Sequence, residues 1–388
     1  MPAGIIESFF LIFFGASVLA ALALFSRQPL IVAYVVTGCL LGPHALGWVD
    51  DPDLLIEISR IGIIFLLFLI GLDLPPNKLK NMLRPSIVTV LLSSVAFFGV
   101  GFGVLYGFGF SRGDAIVGGV AAMFSSTVMG LKLLPMTVLH HRHTGEIVIS
   151  LLLLQDLIAV VSLIVIAGYG GGAEDAAVNL LFVLALLPVL VALAFVGVRY
   201  LIVPLIKRFD AFHEFIFLLA IGWCLALATL AHSVDLSFEI GAFVAGVSLA
   251  NSQIAHFITL TLRPLRDFFL VLFFFSVGAS IDLVLLLDVI IPTVVLAVTL
   301  VILKPLVFHA LLRWGGENAS VSTEIGMRLG QASEFSLLVT YVAGTTLLTA
   351  EGAHVIQGAT VITLLLSTYL VIFRYPSPIA VSARLRRD

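Results

Sequence analysis

Long apolar runs separated by short polar breaks fill the chain from end to end. A helix needs about 20 apolar residues to cross the hydrocarbon core of a membrane, and thirteen runs are candidates. The pattern therefore predicts an all-α integral membrane protein, with residues 1–388 forming a single transmembrane domain. The predicted spans are residues 5–25, 29–46, 60–73, 85–110, 113–138, 146–169, 176–205, 213–231, 236–252, 264–283, 288–312, 321–347 and 353–374.

Lysine and arginine are concentrated in alternate loops. If the N-terminus lies outside, the inward-facing loops and the tail carry fifteen of these residues, and the outward-facing loops carry only Arg60 and Arg112. Because Lys and Arg accumulate on the cytoplasmic side, this count predicts an external N-terminus and a cytoplasmic tail over residues 375–388. The expected location is the inner (plasma) membrane of a bacterium.

The second half of the chain echoes the first. Residues 67–74 are matched imperfectly by residues 272–283, and spans one to six correspond to spans eight to thirteen. Residues 1–169 are then a first repeat, residues 176–205 a connector helix, and residues 213–374 a second repeat. The offset of seven spans is odd, so the repeats have opposite orientations. Inverted repeats are typical of secondary transporters, whose substrate site lies near the midplane between them.

Composition narrows the function classes. Hydrophobic residues make up 61% of the chain and charged residues 11%, against about 25% charged in soluble proteins. A net charge of −3 offers no basic surface for a nucleic acid. Cys39 and Cys224 lie in apolar runs and form no disulfide framework. We find no nucleophile–base pair outside the membrane and no metal-ligand spacing, so we expect neither an enzyme nor a cofactor.

Two opposite charges are predicted at the same depth in the membrane. Asp156 lies roughly 15 Å into the sixth span from the cytoplasmic end, and Lys304 lies roughly 14 Å from the same face in the eleventh span. A charge at this depth is costly and usually functional, and a nearby ammonium relieves the cost of a buried carboxylate. We therefore predict a functional charge pair, although a buried pair that only holds the bundle together is an alternative.

Two spans carry small polar residues at their centres, which favours interrupted helices. The fifth span contains Ser125, Ser126 and Thr127, and the twelfth contains Gly330, Gln331, Ser333 and Glu334. Interrupted helices at corresponding places in two repeats point to a transporter site. Helix packing through small residues is the alternative explanation for either stretch.

This combination predicts exchange of a cation for protons. A single buried carboxylate holds either a proton or a desolvated monovalent cation, so cation entry displaces the proton. Oxygen ligands suit Na⁺ or K⁺, and the transported ions are then the substrates. The predicted ion-binding residues are Asp156, Gln155, Ser125, Ser126, Thr127 and Glu334, with Lys304 as the charge partner of Asp156.

The chain resembles the monovalent cation:proton antiporter superfamily, and within it the Kef-type branch of potassium/proton exchangers, over almost its whole length. The order and spacing of several short stretches carry the resemblance. They are Gly38–Pro43, Phe68–Leu74, Ser125–Thr127, Gln155–Asp156, Gly241–Gly246, Lys304, Gly330–Gln331 and Ser333–Phe335.

The resemblance implies a homodimeric exchanger with thirteen spans, a dimer domain, a core domain, and discontinuous fifth and twelfth helices that cross. It implies that Asp156 binds the ion and the proton and that Lys304 is its partner. Gln155 stands where sodium-selective relatives carry a second aspartate, so K⁺ is the favoured cation. The expected partners are the lipid bilayer and a separate regulatory subunit.

Several alternatives stay open at this point. The chain could be a Na⁺(Li⁺)/H⁺ antiporter, a ligand-gated potassium efflux channel, or a sensor that no longer transports. The cluster His140–His143 is read as a solvated loop rather than a pH sensor. Arg328 is expected to pair with an acidic group that the sequence does not identify, and it receives no further role.

Overall fold

The computed structural model describes residues 5–49, 52–72, 86–132, 143–168, 176–209, 212–234, 236, 238–250, 252 and 255–377. His140, His141, Arg142 and the tail beyond residue 377 therefore lie outside the described residues. Helices make up nearly all of the described chain, which confirms the predicted all-α architecture.

Most helix bounds follow the predicted spans, but the helices of the third and tenth spans begin at Pro52 and Ala255 rather than at residues 60 and 264. The helices are α1 (Ile5–Phe25), α2 (Leu30–Leu41), α3 (Pro52–Leu72), α4 (Ile87–Gly107), α5 (Arg112–Ala122), α6 (Thr127–Lys132), α7 (His143–Gly168), α8 (Ala176–Gly197), α9 (Val203–Arg208), α10 (His213–Ser233), α11 (Phe238–Ala250), α12 (Ala255–Ala279), α13 (Leu283–Asp288), α14 (Ile290–Trp314), α15 (Ala319–Arg328), α16 (Glu334–Leu347) and α17 (Ala350–Arg374). A π-helical turn, Val198–Ile202, joins α8 to α9.

Seven apolar stretches of the described chain are long enough to cross a membrane: α1, α4, most of α7, the run from α8 through α9, most of α10, α14 and α17. Shorter apolar stretches occur in α2, α3, α11, α12 and α16. The chain divides into two compact units by contact. The first contains residues 1–50, 82–163 and 277–388, and the second contains residues 51–81 and 164–276. The inverted repeat stays a prediction.

The second unit is built on close packing of α3 against α11. A β-carbon at Gly246 of α11 would lie 2.8 Å from the backbone nitrogen of Leu72 and 3.0 Å from the carbonyl carbon of Gly71. Only glycine allows the two backbones to approach so closely, and such small-residue contacts drive helix packing in lipid. The stacked rings of Phe65 and Phe269, 4.6 Å apart, extend this core.

The first unit holds every residue of the predicted ion site. At one end, Asp114 in the first turn of α5 accepts hydrogen bonds from the backbone nitrogen of Thr349 at 2.7 Å and from its hydroxyl at 3.0 Å. Thr349 caps α17, so this carboxylate fixes the start of α5 to the start of α17. Near the other end, a β-carbon at Gly326 would lie 2.6 Å from the carbonyl oxygen of Pro305, so α15 presses against α14 beside Lys304.

Candidate cation site

The fifth predicted span is interrupted. Helix α5 ends at Ala122 and α6 begins at Thr127, so the peptide groups between them leave the helical hydrogen-bond ladder. Gln155 of α7 satisfies two of these groups: its amide nitrogen donates to the carbonyl of Met123 at 3.2 Å, and its amide oxygen accepts from the nitrogen of Ser125 at 3.3 Å. Backbone polar groups at membrane depth need such internal partners.

The twelfth predicted span is interrupted as well, between Arg328 at the end of α15 and Glu334 at the start of α16. Helix α17 supplies the partners here. The backbone nitrogen of Ala332 donates to the hydroxyl of Thr363 at 3.0 Å, and the hydroxyl of Ser367 donates to the side-chain oxygen of Gln331 at 2.9 Å. Both predicted interruptions are therefore present.

The two interruptions contact each other. The hydroxyl of Ser125 donates to the carbonyl of Leu329 at 2.8 Å, which joins the first break to the second. The hydroxyl of Ser336 donates to the carbonyl of Ala121 at 2.7 Å and joins α16 to the end of α5. These two hydrogen bonds therefore hold both interruptions, the end of α5 and the start of α16 together.

Lys304 of α14 lies at the two interruptions, with its side chain fully buried. Its ammonium group donates to the carbonyl oxygens of Phe124 and of Gln331, the latter at 3.0 Å, and lies 5.1 Å from the centre of the Phe97 ring. These carbonyls follow the C-terminal ends of α5 and α15, where the helix dipole is negative. The structure thus uses Lys304 as a brace between the two breaks.

Asp156 of α7 contacts the N-terminal end of a helix, whereas Lys304 contacts the C-terminal ends of two helices. Its two carboxylate oxygens accept from the hydroxyl of Thr127, the first residue of α6, at 3.0 and 3.1 Å. Glu334, the first residue of α16, interacts electrostatically with this carboxylate. The two carboxylates therefore lie at the N-terminal ends of α6 and α16, where the helix dipole is positive. The ammonium group of Lys304 lies at the C-terminal ends of α5 and α15.

The predicted direct pairing of Asp156 with Lys304 does not occur in this structure. Among the ion pairs within 4.0 Å in the described part of the chain, none joins these two side chains. The reason is that backbone carbonyls take up the ammonium protons. That Lys304 competes with the cation for Asp156 stays a prediction.

The other predicted ligands divide into two groups. Gln155 and Ser125 are engaged with the backbone of the breaks, and Ser126 accepts from the nitrogen of Met129 at 3.1 Å. Each of these three side chains has a partner within the site, and their role as cation ligands stays a prediction. Asp156, Thr127 and Glu334 form the remaining acidic and hydroxyl-bearing group, which we name the acidic cluster.

Several supporting residues escaped the sequence analysis. Phe97 faces the ammonium, and Thr363 and Ser367 hold the second break. The hydroxyls of Thr360, Thr363 and Ser367 follow the i, i+3, i+7 spacing of one helix face, a signal that could have marked this side of α17. For Phe97, no pattern in the sequence separates it from the other apolar residues of its span.

Comparison with known proteins decides the family. The transmembrane family described as the sodium/hydrogen exchanger matches residues 9–373. The chain belongs to the sodium/hydrogen exchanger family. A sodium/proton antiporter, NhaP1 from Methanocaldococcus jannaschii, has a similar structure, with a TM-score of 0.74 at 16% sequence identity. The match covers 97% of this exchanger and 96% of that chain, and at this identity it establishes the fold.

Membership in this family confirms the superfamily named from the sequence motifs, and makes the protein an integral membrane transporter rather than an enzyme. The transported cation and protons are substrates of such an exchanger, so the family agrees with the expectation that no cofactor is needed. The Kef-type branch and its preference for K⁺ are finer assignments than the family match supports.

Proposed function

We propose that the exchanger moves one monovalent cation against protons, with Asp156 binding each of them in turn. One observation carries the proposal: the Asp156 carboxylate is buried, 7% exposed, and accepts from Thr127 at the first residue of an interrupted helix. A carboxylate so placed is chemically suited to alternate between a proton and a desolvated cation.

The exchange follows from the cost of burying charge. An ionised carboxylate without a partner is expensive in a low-dielectric environment, whereas a protonated or cation-bound carboxylate is neutral. Alternating access therefore proceeds when Asp156 carries a proton or a cation and is hindered when it carries neither. The acidic cluster supplies oxygen atoms that replace water lost from the cation, and Lys304 keeps the two breaks in position.

Na⁺, with Li⁺ as a congener, is the first candidate cation. The family is described by sodium/hydrogen exchange, and the structural neighbour is named as a sodium/proton antiporter. K⁺ is the second candidate, and Gln155 supports it. An amide at this position leaves the site with less negative charge, and a weaker field favours the cation that sheds its water more easily.

The assembly and its location extend the proposal. We infer a homodimer in the lipid bilayer of a bacterial inner membrane, with an external N-terminus and a cytoplasmic C-terminus, and with a separate regulatory subunit as a further partner. The distribution of Lys and Arg supports this orientation.

The test is transport by purified protein in liposomes with a pH-sensitive dye, adding Na⁺, Li⁺ and K⁺ in turn. We expect cation-dependent proton movement by the wild type and by Asp288→Asn, an exposed aspartate, and none by Asp156→Asn. Normal exchange by Asp156→Asn would exclude the proposed mechanism. A response to Na⁺ and Li⁺ alone selects the first candidate, and a response to K⁺ alone selects the second.

A further inference from the structure

Arg328 is a buried charge outside the acidic cluster and the Lys304 brace. It is the last residue of α15, and its side chain is fully buried. A guanidinium group is always charged and is tolerated inside a protein only when its protons are paired. The arrangement of its partners therefore shows what this charge does.

The first partner lies on the same helix. The Nε and one Nη atom of Arg328 donate to a single carboxylate oxygen of Glu324, one turn earlier, at 3.0 and 2.8 Å. This pair neutralises the charge and fixes the plane of the guanidinium group. A planar fork held in this way can direct its remaining protons to one further acceptor.

The second set of partners lies just beyond the end of α17. The same Nη atom donates to the carbonyl oxygen of Pro376 at 2.9 Å, and the guanidinium carbon lies 5.6 Å from the centre of the Tyr375 ring. Arg328 therefore fastens the end of α15 to the segment that follows the last helix. We name this contact the Arg328 clasp, formed by Arg328, Glu324, Tyr375 and Pro376.

The clasp adjoins the second break directly. The residue after Arg328 is Leu329, whose carbonyl accepts from Ser125, and two residues later the carbonyl of Gln331 accepts from Lys304. The position of the helix end thus determines where both carbonyls point. Helix α17 holds the break through Thr363 and Ser367, and the residues that follow α17 hold the start of the break through the clasp.

From this geometry we propose that Arg328 is a positioning residue of the cation site, through which the segment following α17 acts on the second break. The proposal rests on the proposed function, because the site it positions is the one around Asp156. Loss of the clasp lets the carbonyls of Leu329 and Gln331 move, and with them the start of α16 at Glu334. Cation binding then weakens although the side chains of the acidic cluster are all still present. Partners that orient ligands in this way typically contribute about 10–100-fold to affinity.

The first readout is hydrogen exchange at the backbone amides of residues 329–333, compared between wild type and Arg328→Gln in detergent or nanodiscs. We expect faster exchange in this segment and unchanged exchange in α4. The variant Tyr375→Leu, which removes the ring but keeps Arg328, should show a smaller change in the same segment. Arg313→Gln removes an exposed arginine of α14 and serves as the matched control. Unchanged exchange at residues 329–333 in both clasp variants would overturn the proposal.

The second readout is the apparent cation affinity in liposomes. We expect Arg328→Gln to raise the apparent KM about tenfold or more, with Arg328→Lys in between because lysine keeps the charge but lacks the fork. If Arg328→Gln does not fold, Arg328→Lys and Glu324→Gln carry the test. An unchanged KM in the folded clasp variants, with only less folded protein, would reduce Arg328 to a structural role and overturn the proposal. If the wild type itself moves no cation, the proposed function fails, and hydrogen exchange still decides the role of the clasp.

Discussion

The ammonium group of Lys304 donates to the backbone carbonyl of Gln331 at 3.0 Å, rather than to the carboxylate of Asp156. A positive charge at the end of an interrupted helix compensates the negative end of that helix. Together with the bond to Phe124, this contact makes Lys304 the element that holds the two breaks against each other.

Replacement of Lys304 by glutamine should therefore lower the stability of the fold and leave the pH dependence of transport largely unchanged. The carbonyls of Phe124 and Gln331 would lose their charged donor, at about 1–3 kcal/mol for each buried group left unpaired. We expect a clearly lower melting temperature for purified Lys304→Gln, and no change for Lys207→Gln, which removes an exposed lysine of α9.

The pH profile of the remaining transport separates the two roles of Lys304. A brace changes the amount of active protein and leaves the pH of half-maximal activity in place. A competitor for Asp156 shifts that pH, because the ammonium favours the ionised carboxylate. Full thermal stability of Lys304→Gln combined with a shifted profile would contradict the brace.

Removal of the Thr127 hydroxyl should move the transport profile toward higher pH. This hydroxyl donates to both oxygens of Asp156 and stabilises the ionised carboxylate. Without it, the proton competes better, so the same cation occupancy requires a higher pH. A hydrogen bond to a charged group contributes about 1.5–3 kcal/mol, which corresponds to an apparent cation affinity at least about tenfold weaker at a pH where the proton occupies most of Asp156.

The measurement is proton movement at a series of pH values for Thr127→Val and Thr127→Ser. Serine keeps the donor and should stay close to the wild type. Thr293→Val is the matched control, since the hydroxyl of Thr293 is buried but donates only to Val289 within its own helix. Equal shifts for Thr127→Val and Thr293→Val would show that the effect is general destabilisation.

Much of this fold can be predicted from sequence patterns, because the membrane allows few alternatives. Hydrocarbon excludes unpaired backbone, so the apolar runs predict helices, and the small polar residues at Ser125 and Ser333 predict the breaks. The hydrogen-bond partners of the buried charges cannot be predicted from such patterns. Lys304 could pair with a carboxylate or with carbonyls, and only the positions of Phe124 and Gln331 decide between them. Arg328 has its partners Tyr375 and Pro376 far along the chain, where no local spacing connects them.

A carboxylate at position 155 should destabilise the first break in a pH-dependent way. The amide nitrogen of Gln155 donates to the carbonyl of Met123, and in Gln155→Glu an ionised oxygen would face that carbonyl instead. The repulsion disfavours the ionised form of the introduced glutamate in the folded protein. The protonated form, which can donate to Met123, is therefore favoured on folding, and stability falls as the pH rises.

The melting temperature of Gln155→Glu, relative to wild type, should consequently be close to normal at acidic pH and clearly lower at alkaline pH. Glu351→Gln changes the net charge by one unit in the opposite direction at an exposed site in the first turn of α17, and shows how far net charge alone affects the melting temperature. A difference from wild type that is constant across pH would mean that the Met123 bond does not determine the role of Gln155.

Replacement of Glu334 by glutamine should shift the transport profile in the opposite direction from Thr127→Val. The negative charge of Glu334 acts on Asp156, and a like charge nearby favours protonation of a carboxylate. Without that charge, Asp156 releases its proton more readily, so the profile moves toward lower pH. The same substitution removes a negative charge that attracts the cation, so the cation concentration for half-maximal transport should rise. Transport assays over pH and cation concentration measure both effects, and a shift toward higher pH would mean that Glu334 is not an ionised neighbour of Asp156 in the working protein.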